Sequence, residues 1–462
     1  MFVNLAADVL ESALRPGAVQ HGFVTANERL KRELNHALTR HAQTSGLHCW
    51  RQPRVQTLRE FKVECFASLV SKEPDQPGIA DALTLNLLML RHAPQGAQWT
   101  VDLALDAFEK CAAYRIDVDA DAFVTTANAR SFAAWHRSVR ADLKALDLIT
   151  EADVAARLVE RVDQAREHLH LLGFEHLPPA DLAWLNALGR AGYQITRHRP
   201  VPVHGSCQSI GFDHFAHEIR AAAQWARAQL AADPHATVGV VVPDLQAQRH
   251  TIRSAFAAEF AGLTAASAYT WFDVSGGDRL SDHPVWQNAA RLLKLCVDRI
   301  TSDDLNRLIR SNEVDLGIRH LASDLPQLLT IDILASHAAG PTIPRLRQIA
   351  GRRVNTLAQW AGLFAELLAN AGWTGRSMTS GAYQAYVQIK RVIDLVRQNV
   401  SSSQSSGAGG PKFSSQQMSG RAALMDLQRL LANSIFAPAV TRAPIQILGY
   451  LETNSLKFDH LW

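Results

Sequence analysis

Few places in this sequence combine residue types at spacings that could carry out chemistry. A phosphate-binding loop needs backbone N–H groups opened by glycine, with a Lys and a Ser/Thr where the helix begins. Its place is the turn after the apolar run His21-Gly22-Phe23-Val24-Thr25, where the chain reads Thr25-Ala26-Asn27-Glu28-Arg29. Glycine and the Lys-Ser/Thr pair are absent, and an acid stands where phosphate would sit, so ATP binding and hydrolysis are not expected there. Gly410-Pro411-Lys412 is no substitute, because proline lacks the donor N–H. His214, His217 and Glu218 share a helical stretch but lack the H-E-x-x-H spacing of a zinc protease, so they read as a polar helix face. Asp117, Asp119 and Asp121 imitate a calcium loop, yet Ala122 replaces the required glycine and Asn128 the bidentate Glu. Asp142-Leu143-Lys144 has the letters of a Mg²⁺-dependent nuclease site, but in a strongly helical run and far from Pro74-Asp75. No catalytic or metal-ligating residue is therefore expected.

Charge gives a second kind of chemistry, the binding of an anionic partner. The 462-residue chain has a formal net charge of only +3. From Val101 to Leu185 there are 9 Lys/Arg against 15 Asp/Glu, whereas from Gly340 to Arg442 there are 12 Lys/Arg against 3 Asp/Glu. A local excess of that size attracts nucleic acid, although a solvated basic helix face would give the same count. The hydrophobic fraction of 47% and charged fraction of 20% are those of a globular protein. No window approaches 18 uninterrupted apolar residues, and Met1-Phe2-Val3-Asn4 lacks the start of a secretory signal, so no membrane partner is expected. Cys49, Cys65, Cys111, Cys207 and Cys296 are odd in number with no CxxC pair, which fits a reducing cytoplasm better than a disulfide framework.

The elements that must position these residues alternate. After Phe23-Val24, Leu30, Leu34 and Leu38 recur every four residues, predicting a helix capped by Thr25 or Asn27. Arg54-Val55-Gln56 predicts a strand, and Thr57 the cap of a helix carrying Phe61, Phe66 and Leu69. Strand and helix in alternation predict a parallel α/β sheet. From 78 to 168 the leucine and aromatic spacing turns helical, and strands return at Leu169–Phe174 and Tyr193–Thr196. Pro200 and Pro202 mark a boundary. Thr237–Val242 predicts a buried strand, closed by Pro243-Asp244. The chain is then helical to about Leu431, with a Ser/Gly loop, before two final strands, Ile445–Tyr450 and Phe458–Trp462.

Several segments together resemble a bacterial family of DNA repair proteins related to AddB and RecB, in which a superfamily-1 helicase-like module precedes a PD-(D/E)XK exonuclease domain. Phe23-Val24-Thr25-Ala26-Asn27-Glu28-Arg29-Leu30 is similar to that family's degenerate start. Leu171-Leu172-Gly173-Phe174-Glu175-His176-Leu177-Pro178-Pro179 resembles its altered Walker B region, with Gly173 in place of an acid. Glu218-Ile219-Arg220 through Val240-Val241-Val242-Pro243-Asp244 resembles the opening of its second RecA-like domain. Asp282-His283-Pro284, Asp303-Asp304-Leu305, Leu308 and Arg310-Ser311 follow in the family's order, and Ile445–Trp462 looks like motif V, with Ser455-Leu456-Lys457 in place of Gly-Leu-Glu.

The resemblance implies an α/β fold of two RecA-like parallel-sheet domains, each interrupted by a mostly helical insertion. The first domain comprises residues 1–77 and 169–203 around an insertion at 78–168. The second comprises 204–284 and 444–462 around a basic insertion at 285–443 that contains the Ser/Gly loop, 401–420. The chain stops before any motif VI or nuclease counterpart, so it is expected to be a truncated fragment without that domain or its Mg²⁺. The function implied is a catalytically inactive DNA-binding scaffold in end processing or recombinational repair. The expected partners are single-stranded DNA or duplex ends and a RecB/AddA-like helicase subunit. Expected DNA contacts are Arg345, Arg347, Arg352, Arg353, Lys390 and Arg391 in the basic insertion, Thr25, Asn27 and Arg29 at the vestigial loop, and Thr453 and Asn454 in the motif V loop. Two alternatives stay open. One is an ATP-dependent helicase/exonuclease subunit whose active sites lie in a partner or a missing C-terminus. The other is a helical protein-interaction module without nucleic acid.

Overall fold

The computed structural model describes residues 5, 7–14, 20–92, 100–163, 167–199, 205–261, 271–311, 313–318, 326–337, 340–354, 356–374, 378–398, 417–436 and 443–462. Pro200, Pro202 and residues 401–416 of the Ser/Gly loop lie outside them.

The N-terminal sheet has four parallel strands in the order Arg54–Thr57, Gln20–Thr25, Glu167–Leu172, Gln194–His198. Alternation along the central strands divides their side chains between two cores. Phe23 and Leu172 face Leu10 and Leu14 of helix Ala7–Leu14 and Leu30, Leu34 and Leu38 of helix Glu28–Thr44. Val24, Leu169 and Leu171 face Phe61 and Phe66 of helix Leu58–Lys72 and Trp184 of helix Pro179–Arg190. Each leucine fully withdrawn from water contributes roughly 1.5–3 kcal/mol, so the four-residue spacing is what seats the helix on the sheet. Asn27, rather than Thr25, caps that helix, its Oδ1 accepting from Leu30 N at 2.8 Å. Thr57 caps the next helix as expected, in a reciprocal box with Glu60.

The C-terminal sheet is also four-stranded and parallel, in the order His460–Leu461, Val238–Val241, Ile445–Leu448, Phe272–Val274. Val238, Val240, Ile445 and Ile447 pack against helices Phe215–Ala232 and Leu245–Phe260. The final strand is an edge strand with Leu461 exposed, not the buried strand its apolar letters predict.

The described residues of 78–168 are mostly helical, as expected; Gly78–Ile79 and Leu148–Ile149 form a two-residue parallel bridge. The strand predicted to begin at Leu169 begins at Glu167, and Gly420, placed in the loop by its composition, opens helix Gly420–Ala432 behind the Ser419 cap. The second insertion is a helical bundle around Trp286, Phe364, Leu367 and Leu427. Leu87 of the first insertion packs into that bundle, and Asn433 Nδ2 donates to Asp102 Oδ1 at 2.7 Å, so the two insertions touch. Asp142 lies inside helix Ala127–Ala145, paired with Arg91 and His92, which removes it from any strand-borne nuclease site. No helix among the described residues is long and apolar enough to cross a membrane.

Candidate nucleic-acid interface

Helix Glu28–Thr44 has a second face. While Leu30, Leu34 and Leu38 pack on the N-terminal sheet, Arg29, Arg32 and Glu33 point to the C-terminal one. That sheet presents Gln446 on the face opposite Ile445 and Ile447, as strand alternation requires. Arg29 donates from Nη2 to Asp273 Oδ2 at 2.8 Å, from Nη1 to Gln446 Oε1 at 2.8 Å, and from Nε to Ser275 Oγ at 3.1 Å. Gln446 Nε2 in turn donates to Glu33 Oε1 at 3.2 Å, and Arg32 reaches Asp273 Oδ2 at 3.1 Å. Burial lowers the Arg29 pKa, while Asp273 works against that; an arginine starts so high that the group stays a cation. Its planar fork spreads donors at Nε, Nη1 and Nη2 over three separate acceptors, a spread that the compact ammonium of a lysine lacks.

A second strut lies alongside. Asn454 Nδ2 donates to the Gly173 carbonyl at 3.2 Å, and Leu456 packs into the apolar cluster under helix Glu28–Thr44. Gly173 has φ +82°, a left-handed conformation, and a Cβ there would stand 2.8 Å from Leu30 Cδ2. A glycine at this position is thus required by the backbone and by the close approach of the neighbouring turn.

These contacts correct part of the expected DNA surface. Thr25 is fully buried, its hydroxyl within hydrogen-bond distance of the Asn27 and Gln56 carbonyls, and Arg29 is enclosed between the sheets, so neither is open to a DNA phosphate. Asn27 Oδ1 accepts the helix-cap hydrogen bond, Asn454 Nδ2 donates to Gly173 and Thr453 Oγ1 donates to the Tyr450 carbonyl at 2.7 Å, while all three residues stay partly exposed. Sequence did not reveal that Arg29 is taken up by Asp273, Gln446 and Ser275, nor that Asn454 reaches Gly173.

The basic insertion is different. Arg345, Arg347, Arg352, Arg353, Lys390 and Arg391 are all exposed. The four arginines from 345 to 353 fall on and just after helix Thr342–Ala350, and two of them, Arg347 and Arg352, line a groove of about 550 Å³ with Pro344 and Gly351. Arg347 pairs with Asp332 and Arg352 with Glu366, each at 2.6 Å, while Arg345 and Arg353 make no ion pair among the described residues. Both pairs are solvent-exposed and hold little energy, so a phosphate could replace the carboxylates. Lys390 and Arg391 are carried by a separate helix, Ser380–Gln398.

Two features escaped the sequence. Tyr450 and Leu451 stand 71% and 83% exposed on the short 3₁₀ turn that follows strand Ile445–Leu448, an apolar tip above the strut at Asn454. The motif Gly449-Tyr450-Leu451 after an apolar strand was the available signal. On the N-terminal sheet, His21, His168, His170 and His198 share one face across three strands, with the ligand nitrogens of the first three within 4.8 Å of one another. The alternation His168-Leu169-His170 signalled this, but His21 and His198 are brought in only by strand register. Burial first, then the neighbouring imidazoles, push His170 down to about 3, and burial lowers His21 and His198 as well.

The class that fold and site define is an α/β protein of two parallel sheets tied face to helix, with helical insertions that carry an exposed basic groove. Among known proteins, no family model and no curated sequence matches the chain.

Proposed function

We propose that this protein is a helicase-like DNA-binding scaffold in DNA end processing, without nucleotide-driven chemistry of its own. The observation that carries the proposal is the Arg29 network: the turn where a nucleotide's phosphates would lie is filled by protein contacts to Asp273, Ser275 and Gln446. In this reading the two sheets are two RecA-like halves, 1–77 with 169–203 and 204–284 with 444–462, and residues 78–168 and 285–443 are insertions that lie on the DNA path. Arg345, Arg347, Arg352 and Arg353 hold phosphates along the groove, with Lys390 and Arg391 as further backbone contacts, and Tyr450 offers a face on which a base can stack.

A helicase partner of the RecB/AddA type would supply the motor. The location that suits such work is the cytoplasm, where DNA and ATP-driven partners are found. ATP turnover measured with and without single-stranded oligonucleotide tests the proposal. The expected outcome is DNA binding with no turnover above background. Turnover abolished by a substitution at Asn27 or Glu28 would overturn it, and DNA binding absent even at low salt would favour the protein-interaction module.

A further inference from the structure

His21, His168 and His170 come from two neighbouring strands in which His21 pairs with His168 and Phe23 with His170. Because side chains alternate, all three point to the face that also carries Phe23, Thr196 and His198. The ring centroids of His168 and His170 are 4.1 Å apart, and His21 lies 5.4 and 5.3 Å from them. His21 Nδ1 stands 2.9 Å from His170 Nε2. Zinc–nitrogen bonds of about 2.0–2.1 Å place tetrahedral ligand nitrogens about 3.3 Å apart, within the span set by that 2.9 Å contact and the 4.8 Å outer limit.

We propose that His21, His168 and His170 bind one Zn²⁺ ion through three imidazole nitrogens, leaving a fourth position for water. A second layer of contacts supports this. His170 Nδ1 meets His198 Nε2 at 2.9 Å, and His168 Nε2 meets Thr196 Oγ1 at 2.8 Å, so two of the three rings have a remote partner that fixes their orientation, as ligating histidines require. An all-nitrogen set selects a late divalent transition metal over Mg²⁺ or Ca²⁺, which take oxygen ligands. The site lies near the N-terminal end of strand Gln20–Thr25, four residues or about 13 Å of strand from Thr25. It is therefore separate from the Arg29 network and holds whether or not the chain binds DNA. An ion there would clamp the two central strands of the sheet.

The test uses untagged full-length protein, because a polyhistidine tag would bind the probe. After chelator treatment the protein is loaded with Zn²⁺, desalted and analysed for metal, and affinity is read by competition with a chromophoric chelator. One equivalent per chain is expected. His21→Gln and His168→Gln, both at partly exposed positions, should each weaken binding by at least about 100-fold, and Thr196→Val by about 10- to 100-fold. His214→Gln and His217→Gln, at the exposed pair where helix Phe215–Ala232 begins, should leave it unchanged. Circular dichroism of every variant separates lost binding from lost folding. Zinc absent from the wild-type protein, or retained in the His21→Gln/His168→Gln double variant, overturns the proposal.

Discussion

Replacing Arg29 by alanine is the sharpest perturbation of the contact between the two sheets. Arg29 is 6% exposed, and its guanidinium donates three hydrogen bonds, one of them to the carboxylate of Asp273. Removing one partner of a buried ion pair costs about 3–5 kcal/mol, because the other charge is left desolvated. Asp273 is not wholly abandoned, since Arg32 reaches the same oxygen at 3.1 Å, so the lower half of that range applies, about 3 kcal/mol. The assay is urea unfolding of Arg29→Ala, Asp273→Ala and the double variant, with hydrogen exchange read on helix Glu28–Thr44 and strand Ile445–Leu448. A coupling energy above about 1 kcal/mol is expected, with exchange accelerated on both elements. Arg29→Lys should recover only part of the loss, because its compact ammonium lacks the planar fork that spreads the donors over Asp273, Gln446 and Ser275. A change within about 0.5 kcal/mol, as for an ordinary surface position, would refute the bridging role.

Other consequences follow from the same contacts. Gly173→Ala adds a Cβ at φ +82° within 2.8 Å of Leu30 Cδ2, and should cost about 2–4 kcal/mol of stability in urea melts. Burial alone would raise the Asp153 pKa, but Arg140 at 2.5 Å and the Thr150 hydroxyl and N–H outweigh it and hold the carboxyl low. A carboxyl with a depressed folded pKa stabilises above its unfolded pKa of about 3.9, and that contribution is lost as pH falls through the folded pKa. Asp153→Asn should therefore lower stability at pH 7 and flatten its pH dependence below about pH 4, as measured by denaturant midpoints.

How far the sequence carried depended on the range of the interaction. Elements set by local spacing were legible: the Leu30-Leu34-Leu38 stripe, the Thr57 cap, and the β-branched run ending at Val241. Three kinds of feature were not. The edge position of His460–Leu461 depends on sheet order, which apolar letters do not encode. The burial of Arg29 depends on residues 244 and 417 positions further along the chain, so a charge next to a loop looked like a phosphate ligand. The four histidines, at 21, 168, 170 and 198, meet only through strand register. The basic groove was the reverse case: Arg345, Arg347, Arg352 and Arg353 stood out by charge count alone, and helix Thr342–Ala350 keeps them on the surface.

The claim that this groove holds the DNA backbone is tested most directly by the salt dependence of binding. Fluorescence anisotropy of a labelled single-stranded oligonucleotide, titrated at several salt concentrations, gives the slope of log affinity against log salt. Each phosphate contact on a single strand contributes about −0.7 to that slope. Changing Arg345, Arg347, Arg352 and Arg353 together to alanine should weaken binding and make the slope shallower by about 3. An unchanged slope and affinity in the quadruple variant would contradict the account.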